Sequence, residues 1–192
     1  YYNLAVFFHA CSLNCLFCQN WHFRKLTFER EVKSVDDLVD CLTPQVSCIC
    51  YFGGDPSPQM PFAIRASEEA LKLKKGEILR ICWETNGLMN GDLLKEVIRL
   101  SLESGGCIKF DLKAWSEDLH IALTGISNKK ILENFGLVAQ YIKDRPEVPL
   151  LIASTLLVPG YIDEEEVSEI AKFIADINTE IPYRLLAFYP HF

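Results

Sequence analysis

The sequence predicts an α/β fold: a partial (β/α)6 TIM-like barrel with parallel strands. Three observations lead there. Six short apolar runs alternate with connections at intervals of roughly 30–40 residues, each long enough for a strand–helix unit. The runs are mostly apolar throughout, so both faces of their sheet are expected to be covered by helices. Finally, a glycine-bearing or polar motif follows each run, at residues 11–18, 53–56, 84–87, 111–113, 159–160 and 189–191. In a doubly wound open sheet only loops near the switch point converge. In a barrel all of them meet at one mouth. Six contributing strands favour the curved sheet.

Taken in order, the first strand is the run Leu4-Ala5-Val6-Phe7-Phe8. The stretch from Gln19 to Val32 mixes aromatic and charged residues and carries no clear period. Ser34 and Asp37 make a capping-box pair ahead of a helix with Val35, Leu38, Val39 and Leu42 on one face. A second strand covers 46–51. Pro61 opens the next helix, which stops at Gly76. A third strand at 78–83 precedes a helix over 92–102 that Gly105-Gly106 closes. The fourth strand, 107–112, alternates cleanly, with Ile108, Phe110 and Leu112 on one face and Lys109, Asp111 and Lys113 on the other. Lys109 is expected to pair with Asp111. Ile131, Phe135, Val138 and Ile142 mark a helix that halts before Pro146. A long strand over 148–158 follows. Asp163 starts the last helix, with three glutamates in a first turn whose dipole favours acids and with Val167, Ile170, Ile174 and Ile177 on its buried face. The sixth strand is 181–189.

With 192 residues, no linker and no low-complexity segment, the chain reads as one domain, 1–192, with ample core. Its abrupt start and finish, on top of the outer strands, lead us to expect segments missing at one or both ends. A net charge of −7 argues against nucleic acid and anionic membrane as partners. The first apolar run is too short to span a bilayer. Eight cysteines would suit a disulfide framework in a secreted chain. Here Cys48, Cys50, Cys82 and Cys107 fall inside predicted strands and Cys41 near a helix end. These five are expected to be buried, reduced thiols in a cytoplasmic protein. All four histidines read first as packing or solvated residues; His9, beside the cysteine loop, and His191, at the mouth, are the two with a place near the site.

The other three cysteines differ. Cys11, Cys15 and Cys18 lie at spacings of four and three on the loop that leaves the first strand. Thiolates favour iron–sulfur clusters or zinc. A structural zinc site usually closes with four ligands, whereas this tight run stops at three. A cluster held by three thiolates keeps one iron open for a ligand that is not protein.

That spacing, with Phe17 before the last cysteine, resembles the signature of the radical S-adenosylmethionine superfamily. Further segments are similar to its pyruvate formate-lyase (glycyl-radical enzyme) activating enzymes. Gly53-Gly54-Asp55-Pro56 resembles the Gly-Gly-Glu-Pro element that holds the methionine end of S-adenosylmethionine, with an acid one methylene shorter. Glu84-Thr85-Asn86-Gly87 and Asp111-Leu112-Lys113 look like the family's strand-end cofactor contacts. Leu123-Thr124-Gly125 and Leu157-Val158-Pro159-Gly160 also match. Tyr189 stands where the family carries a histidine after the last strand.

The resemblance implies a 4Fe–4S cluster on Cys11, Cys15 and Cys18, with S-adenosyl-L-methionine at its open iron. Phe17 would lie near the adenine, since aromatic faces suit base stacking. Gly53, Gly54, Asp55, Glu84, Asn86, Asp111, Lys113 and Tyr189 would line the rest of the cofactor site. It further implies a radical enzyme that abstracts a substrate hydrogen, with a glycyl-radical protein as a family-based partner and flavodoxin or ferredoxin as electron donor. A small molecule, a peptide or RNA stay open as substrates. Two other classes stay open beside it: a non-catalytic iron–sulfur electron carrier and a zinc-binding module.

Overall fold

A computed structural model describes residues 1–22, 26, 28 and 32–190. Its strands are β1 (Tyr2–Phe7), β2 (Val46–Phe52), β3 (Arg80–Thr85), β4 (Ile108–Asp111), β5 (Leu151–Leu157) and β6 (Tyr183–Ala187). The α-helices among the described elements are α1 (Val35–Val39), α2 (Met60–Leu73), α3 (Gly91–Ser104), α4 (Glu117–Thr124), α5 (Lys129–Ala139) and α6 (Glu164–Ile177). Their ends follow local chemistry. Ser34 and Asp37 close a reciprocal capping box on α1. Asn90 caps α3, which ends on Gly105 in the left-handed region (φ 74°). Asp163 accepts from the Glu165 and Glu166 amides at the start of α6.

All five strand pairs are parallel, and the strand order is β1-β2-β3-β4-β5-β6. That order decides the architecture. Crossovers between parallel strands are right-handed, so a sheet that always advances in one direction keeps its helices on one side. A doubly wound sheet must reverse. The chain is therefore a partial barrel of six strands, with helices outside, an inner face, and β1 and β6 left as edges.

The core lies between the strands and the outer helices. Ile49, Tyr51, Ile81, Trp83, Ile108 and Phe110 are fully buried, packed with Ala63, Ala66, Leu94 and Val97. Trp83 stacks on Tyr51 with ring centroids 4.6 Å apart, and its Nε1–H donates to Ser101 Oγ at 3.1 Å. Each such aromatic contributes a large buried area, and the buried indole needs a partner for its N–H.

Several expectations change. Helices cover one face of the sheet among the described residues, not both. The run of apolar residues is real, but half of it faces the barrel interior. This moves the cysteines. Cys48 is buried as expected, whereas Cys50, Cys82 and Cys107 are half-buried on the inner face and Cys41 is exposed. Pro149 delays the fifth strand until Leu151, and Pro182 and Pro190 bracket the sixth, because proline cannot donate to the ladder. The third strand begins two residues late and runs on to Thr85, which carries Glu84 into the sheet. Helix α4 was not anticipated, although Ser116 and Gly125 cap it in the usual way. On α6 Ile170 and Ile174 are buried, but Ile177 is 37% exposed. Much of 19–32 falls outside the described residues.

Candidate active site

The loop after β1 is fixed from two sides. On one side, Phe8 N–H donates to Gly53 O at 2.9 Å and Asp55 N–H to Ala10 O at 2.8 Å. On the other, Asn14 N–H and Leu16 N–H donate to the Thr124 and Leu123 carbonyls at the end of α4, both at 2.9 Å. Helix α4 thus serves as the loop's backstop. His120, fully buried in it, holds Ile126 O through Nδ1 at 2.6 Å, and burial lowers its pKa. The cysteine loop is clamped between the β2 turn and α4.

Gly53 and Gly54 are required by that clamp. Both take positive φ, 70° and 56°. A Cβ on Gly54 would lie 2.2 Å from the Phe8 carbonyl oxygen, and one on Gly53 would meet the Phe7 ring at 2.1 Å. No larger residue fits between these two strand ends.

One cavity at the C-terminal ends of the strands is lined by Cys11, Cys15, Phe17, Cys18, Gly53, Gly54, Asp55, Glu84, Asn86, Asp111 and Lys113. Eleven of the twelve residues singled out in the sequence meet there. Tyr189 does not: it follows β6, is 68% exposed and is outside the lining. His9 is half-buried and also outside it. His191 lies outside the described residues.

The polar groups of the cavity hold one another in place. Asp55 is buried, and its carboxylate ties the β2 turn to the β3 turn. Oδ1 accepts from Thr85 Oγ1 at 2.9 Å and Asn86 N–H at 2.8 Å, and Oδ2 accepts from Ser57 N–H at 2.8 Å. Burial pushes its carboxyl above the usual range, and these donors oppose that shift. Its side chain is thus committed to protein donors. Asn86 Nδ2 donates to Ser12 Oγ at 2.9 Å and approaches Cys11 Sγ at 3.7 Å.

On β4, Lys113 Nζ lies 2.8 Å from Asp111 Oδ2, and Ser154 Oγ donates to Asp111 Oδ1 at 2.6 Å. Burial would raise the Asp111 carboxyl, but the Lys113 and Lys109 ammonium groups outweigh it and hold the pKa low. Lys109 pairs with Glu84 at 2.5 Å, not with Asp111 as expected. The reason is register: Glu84 and Lys109 are direct cross-strand partners on one face, closer than positions two apart along a strand. Sequence reasoning missed Ser12, Ser154 and Leu156. The parity of β5 held the signal for the last two, since 152, 154 and 156 share a face.

The thiols of Cys11, Cys15 and Cys18 lie on a loop that faces this cavity. Leu13 N–H lies 3.4 Å from Cys11 Sγ. Partial desolvation and the Asp55 carboxylate push Cys11 up to about 11, against the pull of that amide and Lys113. Three soft donors, a glycine cradle with no Cβ, and a paired cation and carboxylate fit an iron–sulfur cluster with a zwitterionic ligand beside it.

Comparison with known proteins agrees. The model of the Radical SAM superfamily matches residues 5–174. A Methanocaldococcus jannaschii protein provisionally named a glycyl-radical enzyme activating enzyme is 29% identical over 190 residues, covering 96% of this chain and 67% of its own length. Pyruvate formate-lyase 1-activating enzyme of Escherichia coli K12 is 25% identical over 191 residues, covering 96% of this chain and 73% of itself. The crystal structure of Streptococcus suis SuiB bound to S-adenosylmethionine shares the fold, with a TM-score of 0.70 at 15% identity, over 98% of this chain and 41% of that one. With the family model spanning most of the sequence and the fold matching as well, this chain belongs to the radical SAM superfamily.

Proposed function

We propose that the chain is the S-adenosylmethionine-cleaving core of a glycyl-radical enzyme activating enzyme. The observation that carries this is the meeting of Cys11, Cys15 and Cys18 with Gly53-Gly54 and the Asp111–Lys113 pair in one cavity. When bound and reduced, a 4Fe–4S cluster supplies the electron that splits S-adenosylmethionine into methionine and a 5′-deoxyadenosyl radical, which takes a hydrogen atom from the substrate. Cys11, Cys15 and Cys18 hold that cluster. The Gly53-Gly54 backbone lets the ligand's amino group approach carbonyls that a Cβ would shield.

Lys113 supplies a cation for the ligand's carboxylate, and Asp111, braced by Ser154, accepts from a ribose hydroxyl. Such charge-assisted bonds contribute roughly 1.5–3 kcal/mol each. Phe17, 8% exposed within a second apolar cluster with Leu13, Leu123 and Leu156, presents a flat wall for the adenine. Asp55 and Asn86 act on the loops, keeping the cysteine turn against the cavity. Glu84, paired with Lys109, lines the cavity. The names of the relatives support a glycyl-radical protein as substrate, and a flavodoxin or ferredoxin suits the one-electron supply.

The test is anaerobic reconstitution with iron and sulfide, then incubation with reductant and S-adenosylmethionine. About four irons per chain and 5′-deoxyadenosine as product are expected. Stoichiometric zinc, no charge-transfer absorption and no nucleoside product would overturn the reading. An electron carrier would take up iron but yield no 5′-deoxyadenosine.

A further inference from the structure

The inner face holds a second set of sulfurs, on the strands below the cavity and outside its lining. Cys48 and Cys50 lie two apart on β2 and so share a face. Cys50 is the cross-strand partner of Cys82. Trp83 pairs with Ile108, and Trp83 N–H donates to Cys107 O at 2.9 Å, which sets Cys107 beside Cys82. The neighbours Ile49, Ile81, Trp83 and Ile108 are fully buried under the helices, so the cysteines point inward. Cys82, on the middle strand, thus has Cys50 and Cys48 on one side and Cys107 on the other.

We infer that Cys82 and Cys107 form a dithiol that converts reversibly to a disulfide on the inner face of the barrel. Adjacent strands run about 4.8 Å apart, inside the roughly 4.4–6.8 Å that a disulfide needs between its Cα atoms. Both residues are half-buried, within reach of a small thiol reagent. The surroundings favour a thiolate at Cys82. The neighbouring Cys107 and Cys48 thiols, the Cys107 backbone amide and Arg80 together hold its pKa below the usual thiol range. Arg145 spans the same strand entry, with Nη1 on Ser101 O at 2.8 Å and Nη2 on Gly106 O.

The oxidant is a low-molecular-weight disulfide. The Cys82 thiolate attacks one sulfur of oxidised glutathione, the S–S bond breaks, and one glutathione leaves and takes a proton. The Cys107 sulfur then attacks Cys82 Sγ and expels the second glutathione, while its own proton is released. Two electrons pass from the cysteine pair to the reagent, and a dithiol reverses the step. This inference does not depend on the proposed cofactor.

The reconstituted protein is equilibrated anaerobically with oxidised and reduced glutathione at several ratios, alkylated, digested and mapped by mass spectrometry. A linked Cys82–Cys107 peptide pair is expected, two hydrogens lighter than the reduced pair and restored by dithiothreitol, with iron content unchanged. Cys107→Ser should stop at one glutathione on Cys82, and Cys82→Ser should lose both products. Full alkylation of Cys82 and Cys107 at every ratio would overturn the proposal. So would a bridge from Cys82 to Cys48, or zinc retained by wild type and lost in Cys82→Ser.

Discussion

The two ends of the barrel's inner face hold seven of the chain's eight cysteines, and they hold them differently. At the C-terminal end the sulfurs of Cys11, Cys15 and Cys18 ride on a loop clamped by the Gly53-Gly54 turn and by α4. At the N-terminal end those of Cys48, Cys50, Cys82 and Cys107 sit in or beside strands, where the ladder sets their spacing. A loop lets thiolates converge on one point; a ladder keeps them a strand apart and offers pairs. Placement, more than residue type, separates the proposed cluster ligands from the proposed redox pair.

The largest effect separates the two ends outright. Cys15→Ala should abolish cluster assembly, because the proposed cluster rests on Cys11, Cys15 and Cys18. Cys48→Ala should reconstitute with the iron content of wild type. Equal loss of iron in both would erase the distinction, and iron analysis with the visible spectrum decides it.

The second prediction probes what clamps the upper end. Asp55→Ala removes a buried acceptor and leaves the Ser57 and Asn86 amides unsatisfied. Each orphaned donor costs about 1–3 kcal/mol, so the loss should be about 3 kcal/mol. That corresponds to a fall of roughly 6–12 °C in Tm for a chain of this size. Thermal unfolding of the apo form measures it. A drop under about 2 °C would mean the two turns are held together by other contacts.

Lys113→Met comes third. The thioether side chain keeps an apolar stem of similar length and removes the charge, so fold and cluster should survive. S-adenosylmethionine affinity should weaken roughly 10- to 100-fold, the loss of one charge-assisted contact. Anaerobic titration at matched iron content is the measurement. Unchanged affinity would remove Lys113 from the ligand's shell.

The upper end was more legible in the sequence than the lower one, for a physical reason. Cys11, Cys15 and Cys18 are close in the chain, so covalent spacing alone nearly brings them together. Gly53-Gly54 and Asp111-Leu112-Lys113 end apolar runs, and parallel strands carry such ends to one edge. Cross-strand neighbours depend on register, which no single segment encodes. Register gave Glu84 to Lys109 and set Cys82 beside Cys107. Asp55 shows the same limit: the motif placed it at the mouth, but the donors that surround it are the Ser57 and Asn86 backbone amides and the Thr85 hydroxyl. Tyr189 lies past the last strand, where no ladder constrains the path, and it ended outside the cavity.

The smallest effect tests whether the lower cysteines also serve packing. Cys48 is 7% exposed, on the inner face of β2 and one strand from Arg80. Truncation to alanine deletes one sulfur and leaves a small void, a cost of about 1–2 kcal/mol. Cys41 supplies the control, since it is exposed after α1 and its thiol donates to the Asp37 carbonyl in its own turn at 3.2 Å. Cys41→Ser should shift stability by no more than about 0.5 kcal/mol. Both variants are compared by urea unfolding with reductant present, so that disulfide chemistry does not enter. If Cys48→Ala matched Cys41→Ser, the inner face at the strand entry would be loosely packed. The thiols there would then owe their placement to chemistry alone.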